Sequence, residues 1–70
     1  MKAAVIFQSG GYIATLTRAG LIVERTVPRK GVRGVRLPPD NCQFLAYVDA
    51  LRDAIDRQEG DALCAALFQP

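Results

Sequence analysis

The chain has 70 residues, of which 50% are hydrophobic and 23% are charged, and its formal net charge is +2 at pH 7. This composition predicts a folded chain that forms a single small domain, residues 1–70, and excludes a disordered segment. Histidine is absent from the sequence, which removes the usual Ser and Cys triads and most transition-metal sites. We therefore expect a protein that is not an enzyme, with no catalytic residue, no metal and no cofactor.

Charge is distributed unevenly along the chain. Residues 1–39 hold seven Lys or Arg against the single Glu24, whereas residues 40–70 hold six acidic residues against Arg52 and Arg57. Such a molecule has a basic end and an acidic end, which can steer a partner of either sign or a second copy of the chain.

Targeting signals are not evident. The apolar run from Ala3 to Phe7 is too short for the core of a signal peptide, and no segment has the length of a membrane span. The two cysteines form no CxxC pair and do not indicate a secreted disulfide scaffold. We expect a cytoplasmic protein with no membrane partner.

The first half of the chain predicts strands. Lys2–Gln8 has apolar residues on both faces and is expected to be an interior strand, with Gly10 and Gly11 forming a two-residue hairpin turn at positive φ. Tyr12–Thr17 alternates between Tyr12, Ala14 and Leu16 on one face and a half-exposed second face. Gly20 is the expected left-handed residue of the next turn.

A third strand is predicted at Leu21–Val27, where Pro28 ends it. The segment Val32–Leu37 has two interpretations, since Gly34 weakens the strand pattern. It either pairs back as a fourth strand or forms an irregular basic arm.

The second half of the chain predicts helices. Phe44, Val48, Leu51 and Ile55 form one apolar stripe when Cys42–Gln58 is placed on a helix. Asp40 is the expected N-cap, and Gln43 can complete a variant of the capping box.

Gly60 is expected to end this helix, and Asp61 to cap a short second helix through Phe68, with Leu63 and Leu67 facing inward. Small residues at Ala46, Ala50 and Ala54 would seat the second helix or, alternatively, form a seam for self-association. The predicted fold class is α+β: an antiparallel β-meander of three or four strands packed on one long C-terminal helix plus a short second helix.

Two sequence patterns give only weak evidence for a chemical function. Ser9 to Tyr12 resembles a phosphate-binding loop, but it opens onto a strand and favours a hairpin turn. The helix dipole would make Cys42, in the first turn of the long helix, mildly reactive, but an incidental thiol is the favoured interpretation because no basic neighbour or resolving cysteine accompanies it. Cys64 is expected to be a small buried residue.

The acidic residues of the long helix, Asp49, Asp53 and Asp56, fall on one face at helical spacing. Their neighbours Arg52 and Arg57 favour an ordinary solvated face with surface ion pairs. An acidic docking face for a basic partner is the alternative.

Five cations, from the end of the third strand to the segment before the long helix, are the strongest candidates for partner binding: Arg25, Arg29, Lys30, Arg33 and Arg36. They can contact phosphates or an acidic protein surface. Charged residues also protect sheet edges from aggregation, which is the alternative role. Tyr12 or an exposed sheet face would supply the apolar contacts.

The order of a GGY hairpin, further strands and an Ala- and Asp-rich helix resembles small antitoxin domains of the HicB type. The Pro-Gly-Cys stretch of that family is absent, so no residue role is carried over.

The sequence leads to three functional hypotheses. The first is a non-enzymatic inhibitor or regulator that blocks a larger protein or nucleoprotein by occluding its surface. Phage and mobile-element anti-defence proteins, such as anti-CRISPRs, are the analogy. The second is a nucleic-acid-binding module that uses a basic β-edge. The third is a structural oligomer subunit, for which a homodimer is the simplest form.

Overall fold

The computed structural model describes residues 3–26 and 34–68. These residues form an antiparallel sheet of four strands and two helices, which confirms the predicted α+β fold class. In chain order the elements are β1 (Ala4–Gln8), β2 (Tyr12–Thr17), β3 (Gly20–Arg25), β4 (Gly34–Leu37), α1 (Phe44–Arg52) and α2 (Arg57–Leu67).

The core lies between one face of the sheet and the two helices. Ala14, Leu21 and Val23 are fully buried on the sheet side, and Val48 and Leu51 of α1 are buried against them. The alternation predicted for β2 is confirmed, because Tyr12, Ala14 and Leu16 lie on the face that packs against this core. Alternation in an antiparallel sheet leaves the intervening residues on the opposite face.

β1 lies at the edge of the sheet and not in its interior. The strand order is β1-β2-β3-β4, so β1 pairs only with β2 among the described strands. The prediction of an interior strand was wrong because it assumed that two apolar faces require two strand neighbours. Val5 is 54% exposed, and the strand also has a β-bulge between Val5 and Phe7.

The turns of the meander follow the predicted positions, with one difference in conformation. Gly10 and Gly11 form the tip of the β1–β2 hairpin, where the Ser9 N–H donates to the Tyr12 carbonyl at 2.9 Å. Neither glycine has a positive φ, contrary to the prediction. Gly20 does, with φ 125°, as predicted.

The fourth strand is formed by the last four residues of the predicted segment Val32–Leu37. β4 begins at Gly34, opposite Glu24, and ends with Leu37 opposite Leu21. For these residues the strand interpretation is confirmed. The predictions for Lys2, Val27, Pro28 and residues 29–33 lie outside the described residues.

α1 confirms the first part of the predicted apolar stripe. Val48 and Leu51 are buried, and Phe44 is packed against the core. The predicted cap is wrong: the N-cap residue is Gln43, which makes no side-chain capping bond. Instead the side chain of Asn41 accepts a hydrogen bond from the Gln43 N–H at 2.8 Å.

The long helix ends earlier than predicted, and the second helix begins earlier, so the two helices have similar lengths. α1 ends at Arg52, and Asp56 is the N-cap of α2, with its carboxylate accepting from the Glu59 N–H at 2.9 Å. The Glu59 carboxylate in turn accepts from the Ile55 N–H at 2.9 Å. This reciprocal arrangement resembles a capping box and starts a new helix. Ile55 is consequently 90% exposed and does not extend the buried stripe.

Gly60 lies within α2 and does not end a helix, and Asp61 is the next helical residue and not its cap. Gly60 is buried, and a Cβ at this position would overlap the Phe7 ring. The absence of a side chain therefore lets α2 pack directly on β1. Leu63 and Leu67 pack against the core, as predicted.

Gly20 provides a test of how tightly the meander and the connection to α1 are packed. A Cβ at Gly20 would overlap the Leu37 carbonyl, which is backbone and cannot rotate away, and the positive φ disfavours any side chain. We expect Gly20→Ala to lower the free energy of unfolding by about 3 kcal/mol, as for strain combined with overpacking. Urea denaturation measures the change.

Gly10→Ala is the matched control, because nothing lies within 4 Å of a Cβ at Gly10. We expect this variant to unfold within about 0.5 kcal/mol of the wild type. Equal effects of the two substitutions would contradict the close contact between Gly20 and Leu37.

Candidate functional site

The sheet has a second face, opposite the helices, against which no described element packs. We call it the outer face. Its position follows from the strand registers, which place Val5, Thr15, Ile22 and Arg36 in one row across the four strands. A second row contains Gln8, Ile13, Glu24 and Gly34.

Branched aliphatic side chains occupy the centre of the outer face. Ile13 and Ile22 lie on neighbouring strands, with Ile13 diagonal to Ile22 and Thr15 directly opposite Ile22. On β1, the other neighbour of β2, Val5 lies opposite Thr15. None of the three aliphatic residues belongs to the helix-side core. We call Val5, Ile13, Thr15 and Ile22 the outer patch.

The outer patch has a polar border of mixed charge. Arg36 lies opposite Ile22, and Glu24 lies opposite Ile13. The Arg36 side chain reaches the β2–β3 turn, where its Nη1 donates to the Ala19 carbonyl at 2.7 Å. An apolar centre with a polar rim is the usual anatomy of a protein-binding surface.

The sequence indicated only part of the outer patch. Its alternation predicted a half-exposed face for Ile13, Thr15 and Thr17, and the structure places Ile13 and Thr15 there. Ile22 was not singled out, although the same alternation within the third strand separates it from Leu21 and Val23. The signal was present, but it needed the strand register to connect the two isoleucines.

The predicted basic run is only partly described by the structure. Arg29, Lys30 and Arg33 lie outside the described residues. Arg25 and Arg36 lie on opposite faces of the sheet, since Arg25 is opposite Tyr12 on the helix side and Arg36 is opposite Ile22 on the outer face. Their role in partner binding stays a prediction, but the two side chains do not form one continuous surface.

Tyr12, the predicted aromatic contact, is engaged within the fold. Its ring lies 5.9 Å from the Phe68 ring, centroid to centroid, at an angle of 42°. The Arg25 guanidinium carbon lies 4.3 Å from the centre of the same Phe68 ring, within the range of a cation–π interaction. These three side chains fix the end of α2 to the sheet.

The predicted acidic face is not a face of one helix. Asp49 is on α1, Asp53 is the C-cap residue of α1, and Asp56 is the N-cap of α2. All three are exposed, but Asp56 uses its carboxylate to cap α2. A docking role for these residues stays a prediction, now without the helical geometry on which it was based.

Ser9 joins the β1–β2 hairpin to α2. Its hydroxyl donates to the Asp61 carboxylate at 2.5 Å and accepts the N–H groups of Gly11 and Tyr12, each at 3.2 Å. Ser9 is only 8% exposed. Because the proton and both acceptor positions of the hydroxyl are occupied, this geometry describes a structural link and not a nucleophile. The sequence did not identify Asp61 as its partner, since 52 positions separate them.

Ser9→Ala tests this link. The change leaves the Asp61 carboxylate and two N–H groups without their partner, and we expect the free energy of unfolding to fall by about 2 kcal/mol. In the Asp61→Ala background the same change should cost about 1 kcal/mol less, since the charged partner is already absent. Urea denaturation of the four proteins measures this difference. Additive effects would contradict the hydrogen bond.

The two cysteines have different surroundings. Cys64 is fully buried, and Cys42 is exposed and precedes α1, so it does not lie in the first helical turn as predicted. Burial raises the pKa of Cys64 from 9.0 to about 11, and the Asp61 carboxylate adds to this increase. The prediction that Cys64 is a buried residue is confirmed.

Thiol chemistry should distinguish the two cysteines. At pH 8 we expect Ellman's reagent to modify Cys42 of the native protein rapidly and Cys64 only after denaturation, because the thiolate is the reactive species. The stabilising contribution of the neutral Cys64 thiol is full below pH 9.0 and is lost as the pH rises towards about 11. Rapid modification of both thiols at pH 8 would contradict this assignment, and Cys64→Ala identifies each signal.

A second surface is the groove between the helices, with a volume of about 350 Å³. Gln43, Ala46, Tyr47 and Ala50 line it from the α1 side and Leu63 from α2. The small residues of α1 thus face α2, as the sequence indicated, but they do not close the space completely. The groove is mainly apolar and provides a control surface for binding experiments.

Comparison of the chain with protein-family models, with curated proteins and with solved structures finds no match. In the part of the chain that the structure describes, no helix is long and apolar enough to cross a membrane. Residues 3–26 and 34–68 contain no group of three or more His, Cys, Asp or Glu residues that could hold a metal ion.

Proposed function

We propose that the protein is a non-enzymatic binding protein that inhibits or regulates a larger macromolecule by covering part of its surface. The observation that carries this proposal is the outer patch. One face of the sheet buries its apolar residues against two helices, while Val5, Ile13 and Ile22 on the other face lie outside this core. Val5 is 54% exposed, and the two isoleucines are half-buried. A solvent-facing sheet surface is usually polar, so aliphatic residues at its centre indicate a binding surface.

A protein surface is the partner that this chemistry favours. The outer patch offers branched aliphatic side chains, which gain free energy when a partner removes them from water. Its border carries both a cation, Arg36, and an anion, Glu24. Recognition of nucleic acid relies on cations and on aromatic stacking, neither of which dominates this face.

Binding at this face would act by occlusion. A small rigid sheet that covers a functional surface of its target prevents other molecules from reaching it and requires no chemical step. Phage and mobile-element inhibitors, anti-CRISPR proteins among them, are the class to which the proposal extends by analogy.

The experiment is affinity capture from a lysate of the source cells with the wild type and an Ile22→Glu variant. Ile22 lies opposite Arg36, so the new carboxylate has a cation beside it and the fold should tolerate the change. We expect the captured target to bind the variant at least about tenfold more weakly, because a charge replaces a central apolar anchor. Titration with the purified target gives the affinity.

Two control variants make the result specific. Ala46→Glu alters the groove between the helices and should bind the target as well as the wild type. Changing Arg29, Lys30 and Arg33 together to Glu, with Arg36 at the border of the outer patch left intact, tests the predicted basic run separately. Loss of binding only in this second variant, together with salt-dependent binding of labelled DNA or RNA, would replace the proposal with the nucleic-acid alternative. Full binding by Ile22→Glu would also contradict it.

A further inference from the structure

β1 is an edge strand that has a β-bulge but none of the charged or proline residues that also protect sheet edges. Edge strands are usually guarded by Lys, Pro or inward charges. The sequence of β1 is AVIFQ, which contains none of these. The edge of β1 that faces away from β2 has no strand neighbour among the described residues. The backbone groups on that side are therefore suited to pairing with another extended chain.

The opposite edge of the sheet, β4, carries a charge that disfavours pairing with its own copy. β4 has the sequence GVRL, so antiparallel pairing of two β4 strands would bring Arg36 near its own copy. Like charges on paired strands are destabilising. Antiparallel pairing of two β1 strands around Val5 brings Val5 opposite Val5 and Ala4 opposite Ile6, which are all apolar. β1 is thus complementary to itself, and β4 is not.

An exposed apolar side chain lies on β1 itself. Val5 is 54% exposed. A second copy paired along β1 would remove part of this side chain from water.

The β-bulge limits how long this pairing can be. It lies between Val5 and Phe7 and increases the local twist of the strand. Pairing is therefore expected to be short and centred on Val5. A short ladder makes a small interface, and small interfaces give weak, concentration-dependent association.

We propose that a second copy of this chain binds along β1, antiparallel and around a twofold axis at Val5, so that Val5 lies opposite its own copy. The two four-stranded sheets then join into one continuous sheet, with both outer faces on the same side. The pairing is isologous and closes at the dimer. Val5 belongs to both this seam and the outer patch, but the pairing uses the backbone edge of β1 and does not depend on the proposed function.

Sedimentation equilibrium between about 5 and 500 µM tests the dimer, since mass action shifts a weak equilibrium over such a range. The wild type should change from a mass of 7.6 kDa towards twice that value. Val5→Lys should stay monomeric, because it places like charges together at the axis. Leu45→Lys is the matched control: Leu45 is 71% exposed on α1, and this variant should dimerise like the wild type.

A cross-linking experiment locates the seam without relying on a disruptive change. In a Cys42→Ser background, Val5→Cys should form a covalent dimer on mild oxidation, because residues opposite each other on paired strands have Cβ atoms about 5 Å apart. Leu45→Cys in the same background should not. Non-reducing electrophoresis separates the products.

Three results would overturn the proposal. The first is a wild type that stays monomeric over the whole concentration range. The second is a Val5→Lys variant that dimerises like the wild type, or equal cross-linking at positions 5 and 45. The third is a mass that continues to rise beyond the dimer, which would indicate head-to-tail pairing of β1 with β4 in place of a closed dimer.

Discussion

The packing of α2 on the β1–β2 hairpin is the constraint on which the rest of the structure depends. Two neighbouring residues of α2 form this contact. Gly60 lets the helix backbone approach the Phe7 ring, and the Asp61 carboxylate accepts a hydrogen bond from the Ser9 hydroxyl. At the other end of α2, Phe68 contacts Tyr12 and Arg25. The helix is thus held to the sheet at both ends, by packing at one end and by aromatic and cation–π contacts at the other.

This arrangement decides which surfaces are available for binding. Because α1 and α2 cover one face of the sheet, the apolar residues of that face are buried in the core. The residues that alternate with them remain on the outer face, where Ile13 and Ile22 lie close together across two strands. Arg25 and Tyr12, which looked like surface contacts in the sequence, contribute to the internal attachment of Phe68.

Local patterns in the sequence predicted the order of the elements well. Alternation in Tyr12–Thr17 assigned the correct face to each residue, and helical spacing identified Val48 and Leu51 as core residues. The turn at Gly20 was also predictable, because few residues other than glycine adopt a positive φ. These features depend on neighbours in the chain, and short-range periodicity contains them.

The wrong predictions concern features that depend on long-range contacts or on competing helix caps. The apolar stripe was extended through Ile55, but Asp56 and Glu59 stabilise a new helix start more than continuation of the old helix does. Gly60 looked like a helix terminator, but its close contact with Phe7 explains why a glycine occupies this position within α2. The edge position of β1 and the pairing of Ser9 with Asp61 required knowledge of the tertiary fold, which periodicity alone does not supply.

The separation of 52 positions between Ser9 and Asp61 also has a consequence for folding during synthesis. The hairpin and the third strand leave the ribosome well before α2 does, and their helix-side face then lacks the helix that covers its far end. Contacts so distant in sequence slow folding, since the chain must close a large loop before it gains them. A nascent sheet of this kind exposes Phe7 and Tyr12 to the surrounding cell until the last helix is complete, and general chaperones recognise such exposed apolar surface.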